Sequence, residues 1–255
     1  MAKIILLGTS SSIPTKKRDN TSFLFIYKNQ LFLIDCPGSI VQKLLKVKID
    51  FRKLQNIIIT HEHPDHIYGI ISLIHSQMYF NKLLNIFTNK TCIKIIKKLT
   101  KIFDLDKPNF LKIKFFDVFE NETFYKYNDL ELSALKTKHI KNSFGVKFTF
   151  AKKTIIYSSD TAFNEGILQE GVKIDYLIHD CTASSSYFKK YPQLYKMHTC
   201  SKDLANYLQK NKNIKKLIPI HFLLLDKKEE QRIKNELAIL GNKVIFPKDF
   251  SKLRL

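Results

Sequence analysis

The sequence of 255 residues has few features of a secreted or membrane-bound protein. Its four cysteines are scattered without a Cys-x-x-Cys pair, which argues against a structural zinc or a dithiol redox site and favours reduced thiols. No apolar run approaches the roughly 20 residues that cross a bilayer, so no membrane partner is expected. The apolar N-terminal stretch is too short for a secretory signal and is typical of a buried strand. We therefore expect a cytoplasmic protein.

Glycine and proline are also scarce, with seven of each, and no repeat, low-complexity tract or Gly/Pro/Ser-rich linker divides the chain. A chain of this length fits one large domain, so a single domain over residues 1–255 is expected. Hydrophobic residues make up 44% of the chain, which is ample for a packed interior and argues against a disordered chain.

Arginine is the scarcest charged residue type, although the net charge is +20. Such a charge attracts polyanions, and RNA is a partner that it would suit. However, only four of the 43 basic residues are arginine, and nucleic-acid surfaces usually rely on arginine forks for phosphates and base edges. The charge is therefore only modest support for a nucleic-acid substrate.

Short β-branched and aromatic runs alternate with helical periodicity, which indicates a layered α/β protein. The predicted strands are 3–7, 22–27, 31–36, 56–60, 112–118, 130–138, 144–150, 154–158, 176–178, 216–220 and 243–246. The predicted helices run from just after His66 to about residue 80, and over 92–103, 202–209 and 227–240. A turn around Asn29 is expected to join the second and third strands.

The densest group of chemically active side chains is His61-Glu62-His63-Pro64-Asp65-His66, directly after a buried strand. Alternate residues of an extended segment point the same way, so His61 and His63 can reach one cation. A helix then begins, and Asp65 and His66 can turn toward a second cation. Imidazole with carboxylate suits zinc, manganese or iron. The alternative, a solvated turn, does not account for three histidines and an acid at this spacing.

The pattern resembles the metallo-β-lactamase fold superfamily, whose marker is His-x-His-x-Asp-His after a buried strand. That resemblance implies an α/β protein with a four-layer αββα sandwich. Further markers of the superfamily follow in order along the chain. Asp35 stands where the family places a supporting acid, His139 matches the third metal motif, Asp160 matches the bridging carboxylate, and His221 matches the last ligand.

The resemblance implies a site with two divalent metal ions, zinc first and manganese as the alternative. In that site the first cation is held by His61, His63 and His139, the second by Asp65, His66 and His221, and Asp160 bridges the two. Two such cations lower the pKa of a bridging water, which becomes a hydroxide that attacks phosphorus. Asp65 is expected to orient this nucleophile in addition to binding metal.

Two stretches resemble the phosphodiesterase branch of the superfamily, which contains ribonuclease Z and small cyclic phosphodiesterases such as the phosphonate-pathway type. They are residues 8–14 (Gly-Thr-Ser-Ser-Ser-Ile-Pro), followed by Arg18 and Ser22, and the segment Met197-His198-Thr199 at a predicted helix start. In this branch the histidine of the second stretch serves catalysis rather than metal binding. His198 is therefore the predicted catalytic histidine, with an ordinary helix N-terminal residue as the alternative.

The spacing between His139 and Asp160 favours a small substrate. Ribonuclease Z carries a long Gly-rich arm there that grips tRNA, whereas these residues lie only 21 positions apart. The prediction is a metal-dependent phosphodiesterase acting on a small cyclic phosphate, such as a phosphoribosyl or nucleoside cyclic phosphate. The alternatives are an armless ribonuclease Z-like tRNA 3′-end endonuclease, a noncatalytic nucleic-acid-binding domain, and a lactone or thioester hydrolase.

Three residues near these motifs have open roles. Asp35 would also suit a plain turn, His179 lies at a strand end, and Asp180 either orients a catalytic histidine or forms a turn. Resemblance to the family also implies a homodimer, although no interface can be identified in the sequence.

Overall fold

The computed structural model describes residues 2–80, 83–107, 111–168 and 172–255. The chain divides into two compact units. The first comprises Met1–Gly8, Arg18–Val118 and Lys248–Leu255, and the second comprises Thr9–Lys17 and Phe119–Pro247. Each unit contains one sheet and its own helices, which confirms the α/β class. The single domain over residues 1–255 stays a prediction.

Strands and helices alternate along most of the described chain. The strands are β1 (Ala2–Gly8), β2 (Ser22–Tyr27), β3 (Gln30–Ile34), β4 (Asn56–Ile59), β5 (Leu83–Thr88), β6 (Lys112–Asp117), β7 (Thr123–Tyr127), β8 (Leu130–Lys136), β9 (Phe144–Phe150), β10 (Lys153–Tyr157), β11 (Ile174–Asp180), β12 (Ile214–Ile220) and β13 (Lys252–Arg254). The α-helices are α1 (Ile40–Lys46), α2 (Pro64–Ile67), α3 (Gly69–Gln77), α4 (Lys90–Ile102), α5 (Ser185–Lys190), α6 (Ser201–Lys210) and α7 (Glu229–Leu237).

The sheet of the first unit has the strand order β13-β1-β2-β3-β4-β5-β6. Strands β13, β1, β2 and β3 are antiparallel neighbours. The predicted turn joins β2 to β3, and Lys28 in it has a φ of 51°. From β3 to β6 each pair of neighbouring strands is parallel. The chain must therefore cross over between successive strands, and helices lie in these crossovers. The carboxyl ends of β3 and β4 therefore meet at one edge of this sheet.

One face of this sheet packs against helices α1, α3 and α4 in a hydrophobic core. That core includes, from the strands, Leu24, Leu33 and Ile57, and, from the helices, Leu44, Ile74 and Ile96, all with no exposed surface. Burying each such side chain stabilises the fold by about 1.5–3 kcal/mol. Strand β4 is buried along its whole length, as the sequence predicts, and this holds its carboxyl end in place.

The sheet of the second unit has the order β12-β11-β10-β9-β8-β7. Strands β10, β11 and β12 are parallel, and the others pair antiparallel. Strands β9 and β10 are joined by Ala151 and Lys152, whose φ values of 43° and 63° match the tight two-residue turns typical of hairpins. Leu177 and Leu217 of the sheet pack with Leu204 of α6 and other apolar helix residues in a second core.

The predicted strand 243–246 is wrong. Ala238–Lys243 forms a 3₁₀ turn that extends α7, and only Val244 bridges to Leu217 of β12. The ladder cannot continue along β12 because Pro219 has no backbone N–H to donate. The elements α1, β5, β7, α5 and β13 were not predicted from the sequence.

The cysteines Cys36, Cys92, Cys181 and Cys200 are all buried free thiols. Burial raises the pKa of the Cys36 thiol, so this side chain remains protonated and packs as a small apolar group. Among the described residues, none of the helices has the length and the apolar composition that a transmembrane span requires.

Candidate metal centre and catalytic histidine

The His-rich segment 61–66 follows β4 at the carboxyl edge of the first unit's sheet. Its first part is extended, and Nε2 of His61 lies 3.1 Å from Nδ1 of His63. Pro64 then begins α2, where its fixed φ suits the first helical position. This turn brings Nε2 of His66 to 3.6 Å from an Asp65 carboxylate oxygen, and the His66 ring centroid to 4.1 Å from that of His61. The four predicted ligands of this segment therefore converge.

Asp35 is the buried acid that holds this segment. It follows β3 with a φ of 55°, and it has no exposed surface. Its Oδ1 accepts hydrogen bonds from the backbone N and the hydroxyl of Thr60, both at 2.9 Å, and its Oδ2 accepts from Nδ1 of His66 at 2.9 Å. A plain turn residue would not be buried with three such bonds. Asp35 is therefore a support for the metal-binding segment.

These bonds also fix the tautomers of two histidines. A carboxylate only accepts, so Nδ1 of His66 carries the hydrogen and Nε2 carries the lone pair. The Thr60 hydroxyl donates its hydrogen to Asp35, so it accepts from Nδ1 of His61 at 3.1 Å. His61 therefore also presents Nε2 with a lone pair, which is the form that binds a metal ion.

Replacing Asp35 with alanine is expected to weaken both the fold and metal binding. The change leaves the buried N–H of Thr60 without this acceptor, which should lower the free energy of unfolding by about 2–4 kcal/mol. Because His66 loses its orienting partner, metal affinity should fall about 10- to 100-fold. Denaturant unfolding and metal titration measure the two effects.

Asp35→Asn is the matched variant for this test, because asparagine tolerates a positive φ and keeps one acceptor for Thr60. It should lose metal affinity with less loss of stability. Unchanged metal affinity in both variants would restrict Asp35 to a turn role.

The second unit carries the other three predicted ligands just beyond strand ends. His139 follows β8, Asp160 follows β10, and His221 comes directly after β12 with a φ of 64°. Nε2 of His221 lies 3.0 Å from Oδ2 of Asp160, and Nε2 of His139 lies 3.9 Å from the same oxygen. Since Asp160 is only 2% exposed, its carboxylate faces these imidazoles rather than solvent. The structure therefore brings these three residues together.

Hydrogen bonds again assign the tautomers. Nδ1 of His139 donates to the carbonyl of Met197 at 2.9 Å. The Thr182 hydroxyl donates to Oδ1 of Asp180 at 2.6 Å, so it accepts from Nδ1 of His221 at 3.3 Å. In both histidines the lone pair therefore lies on Nε2, the atom that faces Asp160. Thr182 was not predicted to be functional, and an isolated threonine after a strand gives no local signal.

The donor set in each unit fits a divalent cation. An imidazole lone pair and a carboxylate oxygen at hydrogen-bond distance repel each other unless a positive charge lies between them. His221 and Asp160 form such a pair in the second unit, and His66 and Asp65 form a longer one in the first. Imidazole and carboxylate donors without thiolate suit zinc or manganese. The residues present therefore fit the predicted metal ions.

His198 lies beside the second set of ligands. The helix α6 begins at Ser201, so His198 precedes the helix rather than opening it as predicted. Its Nδ1 lies 2.9 Å from Oδ2 of Asp180, and its ring stacks on that of His221 at 5.1 Å between centroids. Asp160, His198 and His221 each offer a ligand atom within 4.8 Å of one another. Metal analysis of a His198 variant is therefore the test that separates a catalytic role from a ligand role.

Asp180 has a clear part in this arrangement. Its carboxylate is fully buried and accepts from Nδ1 of His198, from the Thr182 hydroxyl and from the backbone N of Thr161 at 3.1 Å. It therefore orients His198 through Nδ1 and leaves Nε2 of that ring without a contact to Asp180. His179, in contrast, is fully buried, and burial lowers its pKa so that it stays neutral and donates to the Asp180 carbonyl. His179 has a structural role.

Residues 2–236 match the sequence profile of the family described as Anti-Pycsar protein Apyc1. The chain belongs to the Apyc1 family. This Apyc1-family chain is 32% identical over 157 residues to ribonuclease Z of Methanocaldococcus jannaschii, a match that covers 59% of the chain and 48% of that protein. It thus spans about half the length of the curated relative.

Two solved structures show the fold of this Apyc1-family protein. The metallo-β-lactamase fold protein YhfI of Bacillus subtilis superimposes with a TM-score of 0.81 at 20% identity, covering 99% of this chain and 98% of that one. The short form of human tRNase Z gives a TM-score of 0.80 at 17% identity, with the same coverage of 99% and 98%. They confirm the predicted metallo-β-lactamase fold, and the ribonuclease Z relative together with the family match confirms the resemblance to its phosphodiesterase branch.

Proposed function

We propose that the chain is a metal-dependent phosphodiesterase with a dinuclear site. The proposed ligands are His61, His63, Asp65, His66, His139, Asp160 and His221. The support is the shared tautomer of His61, His66, His139 and His221, each of which directs an Nε2 lone pair away from its hydrogen-bonded Nδ1. When bound, two divalent cations lower the pKa of water and neutralise phosphoryl oxygens. Zinc is the first choice of metal and manganese the second.

Two residues have further roles in this proposal. Asp65 binds metal and orients the attacking nucleophile. His198 stabilises a phosphoryl oxygen or protonates the departing alkoxide through Nε2. Because Asp180 accepts from Nδ1 of His198, it holds the ring in one orientation for this step. His198 is 15% exposed on its side chain, so its outer face is open to a substrate.

The proposed substrate is a small cyclic phosphate, such as a nucleoside or phosphoribosyl cyclic phosphate. The observation that carries this choice is the compact segment between His139 and Asp160. It is filled by β9, the two-residue turn and β10, and this leaves no room for an arm that grips a folded RNA. The substrate would therefore be bound by the site itself.

An armless ribonuclease Z-like endonuclease is the second candidate. The curated relative named ribonuclease Z and the net charge of +20 favour RNA as its substrate. A noncatalytic nucleic-acid-binding domain would share the charge but would have no use for a full set of metal ligands. The homodimer and the cytosolic location stay predictions.

A substrate panel tests the proposal. Metal-supplemented protein is assayed with bis-p-nitrophenyl phosphate, 2′,3′- and 3′,5′-cyclic nucleotides, ribose cyclic phosphate, a lactone and a 3′-extended tRNA. We expect turnover of bis-p-nitrophenyl phosphate and of at least one cyclic phosphate. A chelator should abolish both activities, and the 3′-extended tRNA should remain uncut. Cleavage of tRNA alone would establish the endonuclease. Metal-loaded protein that hydrolyses no phosphodiester would overturn the proposal.

A further inference from the structure

Two glutamates of α7 make contacts that the metal site does not explain. Glu229 is fully buried and accepts from the backbone N of Ser184 at 2.6 Å. Glu236, two turns later on the same face, accepts from the backbone N of Ser185 at 3.0 and 3.1 Å and from its hydroxyl at 2.5 Å. It also accepts from the hydroxyl of Ser201. Both carboxylates therefore accept hydrogen bonds from residues at the N-termini of other helices.

The partners of Glu236 are the first residues of two helices, α5 at Ser185 and α6 at Ser201. Neither helix has a side-chain cap of its own at Ser184 or Cys200. Helix N-termini carry unsatisfied N–H groups and a partial positive charge, so a shared carboxylate stabilises both. Glu236 itself lies near the C-terminus of α7, where a negative charge is disfavoured. Its position is therefore explained by α5 and α6 and not by its own helix.

The segments that lead into these two helices run side by side from the catalytic histidine. The backbone N of Thr182 donates to the Thr199 carbonyl at 3.1 Å, and that of Ser201 donates to the Ala183 carbonyl at 3.0 Å. Asp180 and His198 lie at one end of this pair of segments, joined at 2.9 Å. Ser185 and Ser201 lie at the other end, joined by Glu236. So short a ladder is not stable alone, and both ends need a fixed contact.

We propose that Glu236 is a positioning residue that holds the segment of His198 in register with the segment of Asp180. Without it, the two helix N-termini lose their common acceptor and the paired segments shift. His198 would then lose its alignment on Asp180 while the metal ligands remain. This inference rests on the proposed function of His198, and a misplacement of about 1 Å is enough to cost on the order of 100-fold in rate.

The leaving group distinguishes this role from a structural one. The alkoxide of a cyclic nucleotide needs a proton on departure, whereas p-nitrophenolate does not. In Glu236→Ala, kcat on the cyclic nucleotide should fall about 10- to 100-fold, with KM and metal content unchanged. On bis-p-nitrophenyl phosphate, kcat should change by less than about threefold. Glu236→Gln keeps an acceptor for Ser185 and should restore part of the activity. Equal losses on both substrates would overturn the proposal.

Three controls complete the experiment. Glu230→Ala, on the same helix and paired with Lys234 at 2.8 Å, should be neutral. His198→Ala shows whether leaving groups are discriminated at all, so equal losses on both substrates in that variant count against the proton-donor role of His198 rather than against Glu236. Ser201→Ala removes one hydrogen bond to Glu236, and it replaces Glu236→Ala as the test variant if Glu236→Ala does not fold. Independently of activity, NMR should show faster exchange of the His198 Nδ1 proton in Glu236→Ala and in Ser201→Ala, and unchanged exchange in both would overturn the positioning role of Glu236.

Discussion

Asp160→Ala should reduce the bound metal from two ions to one or none per chain and should abolish turnover. Its Oδ2 lies 3.0 Å from Nε2 of His221 and 3.9 Å from Nε2 of His139, so the proposed bridge between cations would be lost. A catalytic metal supplies several kcal/mol of transition-state stabilisation, which corresponds to a fall in kcat of about 1,000-fold or more. Elemental analysis and steady-state kinetics measure the two effects.

Asp175→Ala is the matched control for this variant. Asp175 is a carboxylate of the same sheet near the start of β11, where it pairs with Lys215 and accepts from the backbone N of Thr154. It should keep two metal ions and near-normal turnover. If Asp160→Ala also retained full metal occupancy and activity, the bridging assignment would be refuted.

His198→Ala should lower kcat on a cyclic phosphate by about 100- to 10,000-fold, the usual contribution of a general acid. Metal content should stay at two ions per chain, because His198 is not one of the seven proposed ligands. Turnover of bis-p-nitrophenyl phosphate should fall by less than about tenfold, since its leaving group needs no proton. The measurements are elemental analysis and kinetics on both substrates.

His75→Ala is the control, because His75 is an exposed histidine on α3. It should match the unmodified protein in every measurement. A loss of metal in His198→Ala would make His198 a ligand. That outcome is a real test, because Asp160, His198 and His221 are close enough to share a cation.

The candidate ligand residues could be located from the sequence because each belongs to a local pattern, and their role as metal ligands stays a prediction. His61, His139 and His221 all come shortly after buried strands, and the structure places all three at strand ends. The acid Asp35 was also found, but the sequence left open whether it supports the metal-binding segment or forms a plain turn. Its bonds to Thr60 and His66 span 25 and 31 positions, so only the folded chain shows them.

Other features had no local signature. The contacts of Glu236 span 51 positions to Ser185 and 35 to Ser201, and a glutamate on an amphipathic helix is usually a solvated residue. The strand at 243–246 was wrongly predicted for the opposite reason, because a local sequence signal was present but did not lead to a strand. Its β-branched pattern is real, but the neighbouring strand could not extend the pairing past Pro219. Tertiary partners decided both cases.

The reversal at Ala151 and Lys152 has a consequence for engineering. A two-residue connection at the tip of a hairpin is a place where inserted sequence is tolerated, because lengthening a loop adds little entropic cost. A longer loop inserted there could change which substrates the protein binds, and it would leave the proposed metal ligands and His198 unaltered. Substrate selection could thus be engineered independently of the proposed reaction.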